Sequence, residues 1–427
     1  MACAGSSRCP GEATVEATPG VVARLPAGRP RDPARRLDYD TAVRVLYLCD
    51  RLSLRGGADQ HLLQVVDWAA ASGHSVQVAA GRIEAGVPLA KAVVTERVRD
   101  LSARTPASSQ LPRLERLLDD ADLVHCQNVM NPVALRAAVE TGRALVTVQD
   151  HRVFCPGPGK TLPDGVRCRD AMADHVCARC LPDLAYRERM FGLTLARRDA
   201  LRAAVLVVLS RFMADELASA GLPGALVVPP WFEAAGAKAD PGDGFLLAGR
   251  LVAHKAPLDA WHAWRRSAGT LTLRVAGTGP LAGELGGALL LGWLPPEAFA
   301  LELRRSRALL LPGRWQEPFG MVGVEALAQG TPVVAAETGG VGEWADAGCL
   351  RVAAGDIGAM AEAMATLAGD PAAALALGEQ GRAMVGQRFA RGPIEDRLQS
   401  LYAAVAAGHR PPESRPASGF VAGRAAG

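Results

Sequence analysis

Two carboxylates eight positions apart, Glu317 and Glu325, flank a Pro318-Phe319-Gly320 turn in the stretch EPFGMVGVE, and ALAQGTPVVAAETGG follows at once. Pro318 and Gly320 keep this turn out of a helix, whereas MVGVEALAQG has helical spacing and a glycine stop. Glu317 is therefore expected in a loop before a helix, with Glu325 on its second turn. The first N–H groups of that helix, around Gly320, Met321 and Val322, have no intrahelical partner and favour an anion such as phosphate. Carboxylates accept hydrogen bonds from vicinal hydroxyls. One acid can then hold a ribose and the other a transferable sugar. The competing reading is a pair of surface acids favoured by the helix dipole.

A second cluster lies in GRLVAHKAP, where Arg250 and Lys255 follow a short apolar strand. Two cations at a strand's carboxyl end suit a diphosphate. Lysine is scarce in this chain: of 47 basic residues, only Lys91, Lys160, Lys238 and Lys255 are lysines. A third feature, LRGGADQH, places Gly56 and Gly57 between a strand and a helix, where backbone can approach a ligand closely. Gly277-Thr278-Gly279-Pro280-Leu281-Ala282 also fits a dinucleotide fingerprint. It lies too late in its half of the chain, and no strand-ending acid follows at the required distance of about 20 residues. Asp120-Ala121-Asp122 precedes its strand and reads as loop solvation.

These features need elements to position them. VRVLYLC, HSVQVAAG, ADLVHCQN, ALVTVQD, AAVLVVLS and ALVVPP read as strands separated by helical stretches. After an aperiodic linker at 233–244, FLLAGRL, LTLRVAG, ALLLP, TPVVAAE and CLRVA repeat the pattern. The fold class is α/β, with two Rossmann-like, doubly wound domains at 42–235 and 243–385 facing a central cleft. Ligands of open α/β sheets bind at the carboxyl ends of the strands, which makes the cleft the expected site. A helix at 386–407 could join either domain. Residues 1–41 and 408–427 lack periodicity and read as disordered tails.

Composition sets outer bounds. The 427 residues are 49% hydrophobic and 21% charged, as in soluble globular proteins, and a net charge of +3 gives no case for nucleic acid. No run of 18 apolar residues exists, and the first 20 residues lack the apolar core of a secretory signal. A cytoplasmic protein is expected, with a place at the inner membrane surface left open. The basic helical face of YRERMFGLTLARRDALRAA suits either a membrane surface with a lipid-linked acceptor or plain solvation.

The motifs, taken in order from residue 43 to about 390, resemble the GT-B glycosyltransferases, specifically the large retaining family 4 (group 1). Gly56-Gly57-Ala58 matches the family's loop after the first strand. Gly249 to Lys255 match G-R-L-x-x-x-K, although Ala256 stands where a glycine usually follows. Gly277-Thr278-Gly279-Pro280 matches G-x-G-P, and Glu317 to Glu343 match E-P-F-G-x-x-x-x-E, G-x-P-V-V and G-G-x-x-E. The resemblance implies a nucleotide-diphosphate sugar as donor and a hydroxyl acceptor on a polysaccharide, a lipid-linked glycan or a small metabolite. It implies that Arg250 and Lys255 hold the diphosphate, that Glu317 and the backbone from Phe319 to Val322 meet the donor sugar, and that Glu325 binds the ribose. It further implies retention of anomeric configuration with no metal at the diphosphate. A GT-B nucleotide-sugar epimerase and a non-catalytic nucleotide-sugar binder are the alternatives.

The acceptor side departs from the family pattern. A histidine followed by aspartate is usual after the LVTV strand, but this chain has Gln149, Asp150 and His151. His151 is the candidate substitute for catalysis there. His125 and Asn128 are expected at the cleft from a neighbouring strand, His125 serving either a structural or a catalytic role. Cys155, Cys168, Cys177 and Cys180 form C-x12-C-x8-C-x2-C, which allows a tetrahedral structural metal, zinc before iron–sulfur, or four unligated thiols. Some family members resemble this chain in carrying such a cysteine-rich insertion, here at 155–180.

Overall fold

The computed structural model describes residues 42–102, 111–267 and 271–409. The tail expected at 1–41, and all but the first two residues of the one at 408–427, lie outside them. The first half contains β1 (Arg44–Leu52), α1 (Gly57–Ala71), β2 (Ser75–Ile83), β3 (Val94–Arg97), α2 (Leu111–Asp120), β4 (Leu123–Gln127), α3 (Pro132–Glu140) and β5 (Ala144–Val148). It continues through the one-turn α4 (Asp174–Cys177), α5 (Leu184–Ala200), β6 (Val205–Val208), α6 (Arg211–Ser219) and β7 (Leu226–Val227). The second half runs β8 (Gly244–Ala248), α7 (Pro257–Arg266), β9 (Thr272–Ala276), β10 (Leu289–Gly292), α8 (Pro296–Arg304), β11 (Ala308–Leu311) and α9 (Met321–Ala328). It ends with β12 (Val333–Ala336), β13 (Cys349–Val352), α10 (Ile357–Gly369), α11 (Pro371–Arg388) and α12 (Arg391–Ala406).

The strands form two sheets, ordered β3-β2-β1-β4-β5-β6-β7 and β10-β9-β8-β11-β12-β13. Every pairing is parallel. Central strands are covered on both faces, so β4, β5, β11 and β12 are buried at every residue. In each sheet the winding reverses beside the domain's opening strand, between β1 and β4 and between β8 and β11. A crevice opens at the carboxyl ends of the strands at such a point.

The C-terminal chain resolves the choice left open for 386–407. α11 runs on to Arg388 with the second domain, where Met384, Val385 and Phe389 are buried beside β11 and β12 residues. α12 crosses back: Ile394, Leu398, Leu401, Tyr402 and Val405 lie in one core with β1 and α1. Their spacing of four, three, one and three residues makes one helical stripe. Tyr402 is fully buried, and its hydroxyl lies 2.7 Å from both Tyr47 Oη and His125 Nδ1.

Removing that hydroxyl leaves two buried polar groups short of a partner. Tyr402→Phe is expected to destabilise the protein by about 1–3 kcal/mol, read as a lower urea midpoint at unchanged slope. A midpoint equal to wild type would show that the tether does not depend on these hydrogen bonds.

Candidate active site

A cavity of about 1000 Å³ lies between the carboxyl ends of the two sheets. Its wall includes Gly56, Gly57, Asn128, Gln149 and Asp150 from the first domain. From the second it includes Arg250, Lys255, Gly277, Glu317, Phe319, Gly320, Met321, Val322 and Glu325. The structure thus gathers most of the residues singled out by their spacing. His125, His151 and the four cysteines are not on this wall.

The second domain supplies a charged floor. Lys255 Nζ pairs with Glu317 Oε1, and Glu317 is only 5% exposed. Lys255 also stands 4.7 Å from the Trp315 ring centroid, a cation–π contact. Arg250 is exposed to the cavity and forms no ion pair among the described residues. The backbone here is held by close glycine contacts. A Cβ on Gly277 would lie 1.9 Å from Gly249 O, so the G-x-G turn serves to seat one loop on another. Ala256 takes the left-handed conformation (φ 49°) that the family's usual glycine would adopt without steric cost.

Glu317 sits where expected, in the turn before α9, with Gly320 as its left-handed N-cap at φ 84°. The turn is clamped from below: Gly340 N donates to Glu317 O at 2.6 Å, and Trp344 Nε1 donates to Phe319 O at 2.7 Å. A Cβ on Gly339 would meet Glu317 O at 2.3 Å, which accounts for the glycine pair 339–340. Ser210 Oγ donates to Pro318 O, and Arg211 N donates to Glu343 Oε1 at 2.8 Å, tying the start of α6 to the second domain. Glu325 is half-buried on the cavity wall with no polar side-chain partner among the described residues, and desolvation pushes its carboxyl up to about 7.

The first-domain wall carries a locked amide rather than an acid–base pair. Gln149 donates to Gln127 Oε1 at 3.0 Å, lies 2.5 Å from His61 Nδ1, and accepts from Asn128 Nδ2 at 3.4 Å. Burial drives His61 down to about 4, so it is neutral at physiological pH. Asp150 pairs with Arg152 at 3.2 Å.

Both expected histidines are corrected by their placement. His125 does not end a strand at the cleft. It sits in mid-β4, 1% exposed, between Tyr402 Oη and Thr147 Oγ1 at 2.7 Å each, and burial lowers it to about 3. His151 is turned inward and 3% exposed, at the head of a turn in which Phe154 N and Cys155 N both donate to its carbonyl. Its ring packs against Phe154, Phe212 and Trp315, and burial first of all lowers it to about 4. It therefore does not replace the missing cleft histidine. Sequence reading missed Arg51 and Asp59, which also line the cavity. Asp59 accepts from Arg51 Nη2 at 2.9 Å and Ser53 Oγ at 2.5 Å, and both flank the Gly56-Gly57 pair in sequence.

Cys155, Cys168, Cys177 and Cys180 are free, half-buried thiols on one looped segment. Lys160 N donates to Cys155 Sγ at 3.3 Å, Cys168 N donates to Lys160 O at 2.8 Å, and Cys180 packs beside Gly157. Burial, then the neighbouring thiols, raise Cys177 and Cys180. The four are gathered but not closed: among the described residues no three His, Cys, Asp or Glu side chains stand in position to hold a metal ion.

Residues 55–233 match the family model described as Glycosyltransferase Family 4, and residues 242–370 match that of Glycosyl transferases group 1. A glycogen synthase of Mycobacterium tuberculosis is 34% identical over 115 residues, which are 26% of this chain and 28% of that protein. The chain is thus aligned with little more than a quarter of that curated relative. HepE of Anabaena, solved with UDP and glucose, superposes with a TM-score of 0.62 at 17% identity, over 84% of this chain and 99% of the other. WaaG, a glycosyltransferase of lipopolysaccharide biosynthesis, gives 0.60 at 16% identity, over 84% and 99%. At these identities the likeness speaks to fold, and that fold is the one described above. With two family models meeting on its two domains, the chain belongs to the group 1, family 4 glycosyltransferases of GT-B fold, and is a glycosyltransferase enzyme.

Proposed function

We propose that the enzyme transfers a sugar, with retention, from a nucleotide-diphosphate sugar to a hydroxyl of a saccharide or small-metabolite acceptor. The observation that carries this reading is the convergence of Arg250, Lys255, the N-terminus of α9, Glu317 and Glu325 on one cavity. Arg250 and Lys255 would hold the diphosphate and offset the charge that develops on the leaving group. The N–H groups at Met321 and Val322 would add partial positive charge at the same oxygens. Glu317 would accept from the donor sugar's hydroxyls and Glu325 from the ribose. Such a donor agrees with the UDP and UDP-glucose that the HepE structures contain.

On the acceptor side, Gln149 cannot take a proton, and His61 behind it is held neutral. Front-face transfer fits this wall, because the departing phosphate itself accepts the acceptor's proton. Gln149 and Asn128 would then orient the acceptor by hydrogen bonding alone. The test is turnover with a panel of nucleotide sugars and acceptors, read as acceptor-dependent release of nucleoside diphosphate, with NMR of the new linkage. Retained configuration is expected. An inverted linkage removes the mechanism, and donor hydrolysis or epimerisation without acceptor dependence removes the transferase reading of this site.

A structural zinc in the cysteine-bearing segment is proposed on separate grounds. Four soft donors on one segment, one of them already accepting a backbone N–H, suit Zn²⁺ once the thiols draw together. Such a zinc would brace the segment and take no part in transfer. Metal analysis of anaerobically purified protein should find about one zinc per chain, lost in Cys177→Ser/Cys180→Ser. Less than about 0.2 equivalents in the wild type would remove the proposal.

Glu325 gives a pH signature with a definite sign. Its folded pKa is raised, so the neutral carboxyl favours the ligand-free fold below the unfolded value, and that contribution is lost as pH rises to about 7. Nucleotide binding has the opposite slope, because the ionised form accepts from both ribose hydroxyls and binds them more strongly than the neutral acid. UDP affinity by calorimetry should fall as pH drops below 7, by up to about tenfold per unit, and Glu325→Gln should flatten that dependence. Parallel curves for wild type and variant would rule out Glu325 as the ribose acceptor.

A further inference from the structure

The segment between Cys155 and Cys168 belongs to the first domain yet packs directly against the donor side of the second. Thr161, only 5% exposed, accepts a hydrogen bond at Oγ1 from Gln316 N at 3.3 Å. Gln316 Oε1 in turn accepts from Gly339 N at 3.1 Å, the glycine that lies beneath Glu317. Gly159 is left-handed at φ +72°, and a Cβ there would stand 2.1 Å from Trp315 Nε1 and 3.0 Å from His151 Nδ1. His151 also lies against the indole, with ring centroids 5.0 Å apart.

Trp315 is therefore boxed from the first domain, and its face carries the Lys255 ammonium at 4.7 Å. The segment is anchored behind this contact. Lys160, also left-handed at φ 58°, is 3.3 Å from Glu216 Oε2 and donates to Asp170 O at 2.8 Å. Arg167 pairs with the other Glu216 oxygen at 3.0 Å and lies over the Phe212 ring. The strip from 159 to 167 is thus bolted to α6 on one side and pressed on Trp315-Gln316 on the other.

We propose that this segment is an interdomain clasp: Gly159 and Thr161 set Trp315 and Gln316, and through them hold the Lys255 ammonium where the donor diphosphate binds. The proposal rests on the donor-site reading of Lys255. Gly159 and Thr161 are positioning residues, since neither lines the cavity. A side chain at 159 must push the indole out of its slot, and the cation then loses the ring that fixes its direction. Donor recognition is in this way conditional on the first domain being docked, and a closed donor site exists only with the clasp seated.

The test uses the full-length protein and two probes, inorganic pyrophosphate and UDP, with binding measured by calorimetry. Gly159→Ala should weaken both by at least about tenfold, or 1.4 kcal/mol. Gly221→Ala is the matched control: it has the same left-handed backbone (φ +83°) with no neighbour within 4 Å, and should bind as wild type. Thr161→Val should weaken both probes about threefold, with a rise in donor KM and little change in kcat. Trp315→Phe added to Gly159→Ala removes the clashing nitrogen and should recover part of the loss. Equal binding by wild type, Gly159→Ala and Thr161→Val overturns the clasp while leaving the donor site standing. If Gly159→Ala does not fold, Thr161→Val and the double variant decide the matter. A wild type that binds neither probe overturns the donor-site reading, and the clasp with it.

Discussion

The Lys255–Glu317 ion pair is the interaction around which this site is built. Its two members come from the loops after β8 and β11, the neighbouring strands at the point where the second sheet reverses its winding. The carboxylate side of the pair is nearly buried, so removing the ammonium would leave Glu317 as an uncompensated charge. The surroundings accordingly fix both partners. Trp315 directs the ammonium, and the Gly339-Gly340 pair and Trp344 hold the carboxylate's backbone from beneath. Each partner thus holds the other in place, and both stand on the cavity wall.

Much of this was legible before any coordinates, and the reason is physical. Glycines at 277, 339 and 340 are places where one backbone passes within contact distance of another, so their spacing encodes tertiary contacts directly. The carboxylates and cations next to them inherit that positioning. Buried central strands were equally plain, since both faces demand apolar residues. The edge strands β3 and β10 were not read from the sequence, because VTER and LLLG lie exposed at the sheet margins with no buried face to impose alternation.

The histidines show where reading by type fails. His125 has the identity of a cleft residue but sits in mid-strand, where its side chain joins a hydrogen-bonded core with Tyr402, a residue 277 positions away. Nothing near it in sequence announces that partner. His151 follows Asp150 closely enough to suggest a shared site, yet one tight turn sends the two side chains to opposite sides of the wall. Arg51 and Asp59 were passed over for the opposite reason. They flank the glycine pair, but only the folded loop shows that both reach the cavity.

The chain crosses between its domains twice, and the crossings touch. Trp231 is buried in the first domain's core and Phe232 packs with the second; on the return, Phe389 belongs to the second and Ile394 to the first. Phe232 N donates to Phe389 O at 2.9 Å, so the outgoing and returning segments are joined at one spot. Two segments of chain pinned side by side couple the crossings, so that neither can shift without straining the other.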